Sequence, residues 1–185
     1  MALVEFDSVK GLDVIGQDAH ILGEIVDVRY EDLTWNIQGF KVKSESKVSK
    51  MINVGSGKSM LLLHPGKYTF GDVVLMSDTI DDARMRITAD SNNFRSIEGT
   101  IGMKVMSDEN VLIGTVDSIQ IDLDSWTVAS MKVKLDKGAY LPLEVKKGLL
   151  GKKVSGLLMT DISEMTDVIK LGLNIFSIKS QIIVD

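Results

Sequence analysis

The segment Gly55-Ser56-Gly57-Lys58-Ser59 is the first whose residue types could do chemistry, because Gly-Lys-Ser ends phosphate-binding loops. The complete motif needs a further glycine five residues before Gly57, where this chain has Ile52. A helix should also follow the motif, yet the apolar run Met60–Leu63 and then Pro65 follow it here. The segment therefore predicts a glycine-rich hairpin turn followed by a strand, and not a nucleotide site.

Two histidines, His20 and His64, are the only imidazoles in the chain, and there is no cysteine. A zinc or catalytic site would need several histidine, cysteine or carboxylate groups at set spacings, and the sequence shows no such set. We therefore interpret both histidines as surface or strand-end residues. No metal site and no cofactor are expected.

Acidic residues cluster at two places, but neither cluster matches a calcium-binding loop. These clusters are Asp78/Asp81/Asp82 and Asp122/Asp124, and both are expected in solvated turns. No serine has a recognisable histidine and aspartate partnership in the sequence. We therefore name no catalytic residue and predict that the protein is not an enzyme.

Composition and charge indicate a folded protein with 44% hydrophobic and 25% charged residues. Without cysteine there are no disulfides, so a cytoplasmic location is favoured. No apolar run reaches the length of a membrane span, and the first ten residues, which include Glu5 and Asp7, are not expected to act as a signal peptide. No membrane insertion is therefore expected, and recruitment to a membrane would need a partner. The net charge of −5 gives no sign of direct nucleic-acid binding.

An internal repeat organises the whole chain. At an offset of 91 residues, Trp35 meets Trp126, and Lys41-Val42-Lys43 meets Lys132-Val133-Lys134. Further along, the offset becomes 95 residues, and Asp72-Val73-Val74 meets Asp167-Val168-Ile169. This pattern predicts two tandem domains, at 1–88 and 97–185, joined by a polar linker at about 89–96.

Short β-branched runs cut by glycine, asparagine and aspartate predict an all-β fold of two small barrels, each with about six strands and short helices. The predicted hairpins pair Ile21–Tyr30 with Trp35–Lys43, and Val111–Ile121 with Trp126–Leu135. In both hairpins the alternation of apolar residues slips by one position, which predicts a β-bulge near Gly39 and near Ser130. Closing strands are expected at Asp72–Met76 and Asp167–Leu171, and short helices at Thr79–Arg86 and Asp161–Met165.

Three motifs in this framework resemble the PRC-barrel family. They are Gly11-Leu12-Asp13-Val14, Ile21-Leu22-Gly23-Glu24-Ile25-Val26-Asp27-Val28 and Gly71-Asp72-Val73-Val74. The second repeat matches with Gly102-Met103-Lys104-Val105 and Ile113-Gly114-Thr115-Val116, but Thr166 replaces the glycine of the last motif. The resemblance covers nearly the whole chain, and its motifs consist of structural residues.

The resemblance implies a six-stranded barrel that works as a protein-binding module. Such barrels occur in the photosynthetic reaction-centre H subunit, in a bacterial maturation factor of the small ribosomal subunit, and in stand-alone archaeal proteins. Some archaeal members act in cell division and bridge membrane-anchored SepF and the FtsZ ring. We therefore expect an archaeal cell-division adaptor, recruited to the division site, that binds a SepF-like protein or other PRC-barrel proteins. The alternative is an assembly factor of the small ribosomal subunit that binds a ribosomal protein.

Candidate partner-binding residues fall into two groups. Trp35 and Trp126 follow the two hairpin turns, where a tryptophan either covers the end of a barrel or anchors an interface. A basic segment of the second repeat, with Lys146, Lys147, Lys152 and Lys153, either contacts an acidic partner or forms a solvated loop. The duplication itself either offers two like surfaces to a partner or forms an internal pseudo-dimer; homo-oligomers and filaments also stay open.

Overall fold

The computed structural model describes residues 3–32, 34–44, 46–53, 59–90, 93–145 and 153–184. The chain divides into two compact units. The first unit comprises Phe6–Glu98, and the second comprises Met1–Glu5 together with Gly99–Asp185. Among the described residues, no helix is long and apolar enough to cross a membrane.

The protein is mostly β, as expected, and its elements are short. The first part of the chain contains β1 (Leu3–Glu5), β2 (Asp13–Ile15), β3 (Ile21–Tyr30), β4 (Ile37–Ser44), α1 (Ser46–Met51), β5 (Ser59–Leu63), β6 (Tyr68–Phe70), β7 (Val74–Met76), β8 (Ile87–Ala89) and β9 (Arg95–Ser96). The second part contains α2 (Ile97–Thr100), β10 (Lys104–Met106), β11 (Leu112–Asp122), β12 (Thr127–Leu135), β13 (Lys153–Leu158), β14 (Ile162–Met165), β15 (Val168–Leu171), α3 (Ile175–Gln181) and β16 (Ile183–Val184). Turns of 3-10 helix lie at Phe6–Ser8, Asp82–Arg86, Lys137–Ala139 and Met159–Asp161.

Each unit has one mixed sheet, and the two sheets have the same strand order. In the first unit the order is β6-β7-β2-β3-β4-β5-β8, and in the second it is β14-β15-β10-β11-β12-β13-β16. The only parallel neighbours on these paths are β2 with β7 and β10 with β15. The sequence repeat therefore corresponds to a repeated topology. Across the described residues the strand order is open at both ends, so backbone hydrogen bonds do not close either sheet into the predicted barrel.

An additional strand joins each sheet from the segment that precedes the other repeat. In the first unit β9 pairs with β3, with Ser96 opposite Arg29. In the second unit β1 pairs with β11, with Glu5 opposite Gln120. These two residue pairs are related by the same offset of 91, so the exchange of leading strands is reciprocal and has one register.

This exchange changes the domain boundaries that the sequence predicts. The predicted linker at 89–96 includes the end of β8 and all of β9, and the predicted first domain at 1–88 contains β1, which belongs to the second unit. Polar composition had indicated a solvated linker. The structure instead buries the side chain of Asp90, which is 2% exposed.

Both predicted hairpins and both predicted bulges are present. In the β3–β4 hairpin, Arg29 lies opposite Gly39 but Tyr30 lies opposite Ile37, so Gln38 is the extra residue. In the β11–β12 hairpin, Ala129 is the extra residue at the equivalent place. Such an extra residue bends and twists the strand, which helps a short sheet to wrap around its own core.

The helix expectations have mixed outcomes. Residues Asp82–Arg86 form a 3-10 helix inside the predicted segment Thr79–Arg86. The predicted helix at Asp161–Met165 is wrong, because Ile162–Met165 forms β14 and pairs with β15. The helices α1 and α3 have six and seven residues, too short to produce a helical periodicity in the sequence.

Candidate interaction surfaces

The two tryptophans occupy the same strained turn position but differ in exposure. Both have positive φ angles, 61° for Trp35 and 55° for Trp126, which are unfavourable for a bulky side chain. Trp35 is 8% exposed, and its ring stacks on Tyr30 with ring centroids 5.9 Å apart. Trp126 is half-buried. Trp35 is therefore a core residue, whereas part of the Trp126 side chain is exposed.

The basic segment predicted as a contact site is only partly described. Lys146, Lys147 and Lys152 lie outside the described residues. Lys153 begins β13 and pairs in register with Lys134 of β12. This register places position 153 beside the exposed Lys134.

The histidines have structural surroundings. The imidazole of His64 lies at the end of β5, where Nδ1 is 2.9 Å from the carbonyl oxygen of Gln38 and Nε2 is 3.1 Å from Oγ1 of Thr88. His20 is exposed and lies 3.1 Å from a carboxylate oxygen of Asp18. Residues 54–58 of the glycine-rich segment lie outside the described residues, but a strand follows them, as predicted.

Near His64, a phenol and a guanidinium link the two ends of the first sheet. The hydroxyl of Tyr68 in β6 donates to the carbonyl oxygen of His64 at 2.5 Å and accepts from Nη1 of Arg86 at 2.9 Å. Arg86 also pairs with Asp78. Burial raises the pKa of Tyr68 to about 12, although Arg86 opposes this shift. The phenol is therefore neutral at physiological pH and serves as a structural link.

The acidic clusters from the sequence are engaged locally. Asp82 accepts a hydrogen bond from Thr79, and Asp81 lies 3.6 Å from Arg84. Asp122 accepts the backbone N–H of Asp124 and so shapes the second hairpin turn. Within the described ranges, no three histidine or acidic residues are grouped closely enough to hold a metal ion.

A buried charged cluster, which the sequence did not indicate, holds β9 on the first sheet. The carboxylate of Asp27 accepts the hydroxyl of Ser96 at 2.5 Å and the backbone N–H of Glu98 at 3.0 Å. Arg29 lies 3.3 Å from Asp27 and donates to Asp90 at 2.8 Å. These partners come from three separate segments, so the cluster fixes the exchanged strand in place.

The second unit holds its exchanged strand with different groups. Ser118 takes the place of Asp27, and Gln120 takes the place of Arg29. Here Lys132 donates to the carboxylate of Glu5 in β1 at 2.8 Å. The two exchange sites therefore share a backbone register but not a side-chain chemistry.

The outer face of the first sheet carries a charged row beside an apolar row. The charged row consists of the cross-strand neighbours Asp13, Glu24 and Lys43 and ends at the uncharged Met60. The apolar row contains Leu75, Ile15 and Ile21. We call these seven residues the acidic face. A depression of about 360 Å³ lies over part of the charged row.

The equivalent outer face of the second sheet is cationic. Its charged row runs through Lys104, Thr115 and Lys134, and its second row contains Lys170, Met106 and Leu112. We call these six residues the lysine face. A depression of about 310 Å³ lies over it. The same site is thus built twice, but with opposite charge.

A glycine lines each depression. A Cβ on Gly23 would lie 2.3 Å from the carbonyl oxygen of Lys43, and a Cβ on Gly114 would lie 2.1 Å from that of Lys134. Both distances are shorter than any normal contact, so the central strands can approach each other here only without a side chain.

Comparison with known proteins gives no assignment: no family model matches the chain, and no curated protein matches it.

Proposed function

We propose that the protein is a non-enzymatic adaptor built from two PRC-barrel-type modules. In this proposal it acts in archaeal cell division and binds a SepF-like protein linked to the FtsZ ring. The observation that carries the adaptor proposal is the duplicated sheet, which presents one surface position twice with different side-chain chemistry. Such an arrangement suits a protein that joins two different surfaces, because each copy can hold its own partner.

Closure of each sheet into a small barrel of about six strands is part of this proposal. In the first unit, β6 and β8 are the two end strands of the sheet. The hydroxyl of Tyr68 in β6 contacts Arg86, which directly precedes β8. The same hydroxyl donates to the carbonyl oxygen of His64, which directly follows β5, the strand that pairs with β8. These side-chain contacts of Tyr68 support closure.

Binding measurements with purified components test the division role. We expect the tagged protein to capture a SepF-like protein from an archaeal lysate and to bind the purified SepF-like protein directly. Trp126→Ala should raise the Kd about tenfold or more, because a half-buried tryptophan is a typical interface anchor. Met85→Ala is the matched control, since Met85 is 92% exposed on a 3-10 helix and outside the hairpin turns.

Two results would contradict the division role. One is a purified protein that does not bind the SepF-like protein. The other is a capture dominated by proteins of the small ribosomal subunit, which would favour the ribosome-assembly alternative. Neither result would bear on the sheet topology.

A further inference from the structure

The acidic face has an unusual amount of exposed apolar surface for one side of a sheet. Ile21 is 52% exposed, Leu75 is 46% exposed and Met60 is 45% exposed. Ile15 lies directly between Ile21 and Leu75 in register, so these three residues form a continuous apolar row, while Met60 ends the charged row. A continuous apolar row beside charged residues is the composition of a binding surface.

The charges on the acidic face are poorly matched within the unit. Asp13 and Glu24 are both exposed and lie directly opposite each other, although like charges in such pairs repel. Among the described residues, neither carboxylate forms an ion pair. An external cation would therefore improve this surface.

The lysine face offers cations at equivalent positions. Lys104 replaces Asp13, and Lys170 replaces Leu75. Lys104 and Lys134 are exposed on either side of Thr115, and neither forms an ion pair within the described ranges. Including Glu164 and Asp136 at the margin, this face has three described lysine side chains and two carboxylates, a net charge of +1. The acidic face has two carboxylates and one lysine, a net charge of −1.

We propose that the acidic face of one copy of this protein binds the lysine face of a second copy. The aliphatic stems of Lys104 and Lys134 would cover the exposed row around Ile21, and their ammonium groups would reach Asp13 and Glu24. The apolar contact supplies affinity, and the charges supply orientation and selectivity.

This contact joins two different surfaces, so it leaves one acidic face and one lysine face open at the ends of each complex. Such heterologous contacts generate rings or open chains, and not only closed dimers. The inference deepens the adaptor proposal, because it names a second copy of the chain as one partner, and it rests on the idea that the duplicated faces bind proteins.

Pairing of like faces is less favourable. Two lysine faces would bring Lys104 and Lys134 against lysines of the other copy. Two acidic faces would bring carboxylates together around Glu24 and leave both lysine faces unused. The charge difference between the repeats therefore selects contact between unlike faces.

Sedimentation velocity of the purified full-length chain over a concentration series tests the proposal. The wild type should form species larger than a monomer, and this association should weaken between about 0.05 and 0.5 M salt because exposed charges are screened. Variant one, Asp13→Lys with Glu24→Lys, makes both faces cationic. Variant two, Lys104→Glu with Lys134→Glu, makes both faces acidic. For each variant alone, the Kd of self-association should be at least about tenfold higher than that of the wild type.

The decisive experiment mixes the two variants in equal amounts. Their faces are then complementary between molecules, so association should return. A control variant, Lys47→Glu with Lys50→Glu, changes the charge by the same amount on α1, outside both faces, and should associate like the wild type. Circular dichroism confirms that each variant is folded.

Three results would overturn the proposal: a wild type that stays monomeric at every concentration, association that persists in variant two, and a mixture that stays monomeric. This test uses one purified protein and no other partner. A failure here is thus distinguishable from a failure to bind the SepF-like protein.

Discussion

Replacement of Asp27 by alanine should destabilise the first unit strongly. The carboxylate is 6% exposed and accepts hydrogen bonds from the backbone N–H of Val28, the hydroxyl of Ser96 and the backbone N–H of Glu98. It also lies 3.3 Å from Nη1 of Arg29, whose side chain is 7% exposed. The substitution therefore removes a buried anion that joins β3 to the segment of Ser96 and Glu98. It also leaves the buried guanidinium of Arg29 without this anion.

The expected magnitude follows from these contacts. Removing one partner of a buried ion pair costs about 3–5 kcal/mol, which already includes part of the lost hydrogen bonding to a charged group. Asp90 remains 2.8 Å from Arg29 and offsets part of this cost. We expect the free energy of unfolding to fall by about 3 kcal/mol, and β9 to exchange its amide hydrogens faster because its side-chain anchor is lost.

Ser118→Ala is the matched control at the equivalent position of the second unit. The hydroxyl of Ser118 is buried and has no hydrogen-bond partner among the described residues. Its removal should change the free energy of unfolding by about 0–1 kcal/mol in the stabilising direction, because a buried hydroxyl without a partner is unfavourable.

Urea unfolding followed by tryptophan fluorescence measures both effects. One tryptophan lies in each unit, so a Trp126→Phe background reports the first unit through Trp35, and a Trp35→Phe background reports the second. The reasoning is refuted if Asp27→Ala costs less than about 1 kcal/mol, or if Ser118→Ala is as destabilising as Asp27→Ala.

Three further predictions concern stability. Gly23→Ala should lower the free energy of unfolding by about 3 kcal/mol, because the new Cβ would lie 2.3 Å from a carbonyl oxygen of β4; Gly71→Ala, where a Cβ meets nothing within 4 Å, is the control in the same urea titration. Burial raises the pKa of Tyr68 to about 12, so the folded state holds the phenol proton more tightly than the unfolded state. The contribution of this group to the free energy of unfolding should therefore be complete below about pH 10 and be lost between about pH 10 and 12. Tyr68→Phe should flatten this part of the stability profile, and an unchanged slope would contradict the assignment. Trp35→Ala should cost about 3 kcal/mol, and Trp126→Ala distinctly less, because Trp35 is buried and Trp126 only half-buried; equal costs in thermal unfolding would contradict this difference.

The elements that the sequence predicted have a strong local signal. The hairpins alternate apolar and polar residues, and the slip before Phe40 and before Met131 marks the extra residue of each bulge. A short glycine-rich segment before Met60 was similarly enough to predict a strand after it.

The exchanged strands could not be predicted in this way. β9 has two residues and β1 has three, so neither produces a periodic pattern, and the polar composition of residues 89–93 indicates a linker. The charged cluster was missed for a related reason, because Asp27 and Asp90 are 63 positions apart and only the fold brings them near the same guanidinium.

The two outer faces depend on strand register, which the sequence did not fix. Asp13, Glu24 and Lys43 become neighbours only when β2, β3 and β4 are aligned with their bulges. A signal was nevertheless available: at the offset of 91, Asp13 aligns with Lys104, which is a reversal of charge between the two repeats. Comparison of the repeats for such reversals would have identified this position.

The reciprocal exchange of leading strands has a practical consequence for anyone who divides this protein into single modules. A fragment cut at the sequence repeat, 1–88, keeps β1 but lacks β9, and the fragment 97–185 lacks β1. The first fragment would leave Arg29 and Tyr30 of β3 without their β9 partners, and the second would leave residues 120–122 of β11 without β1. Unpaired strand backbone of this kind recruits strands from other molecules. Expression of the isolated halves should therefore produce aggregates or re-paired fragments, whereas co-expression of 1–98 with 99–185 retains a donor strand for each sheet.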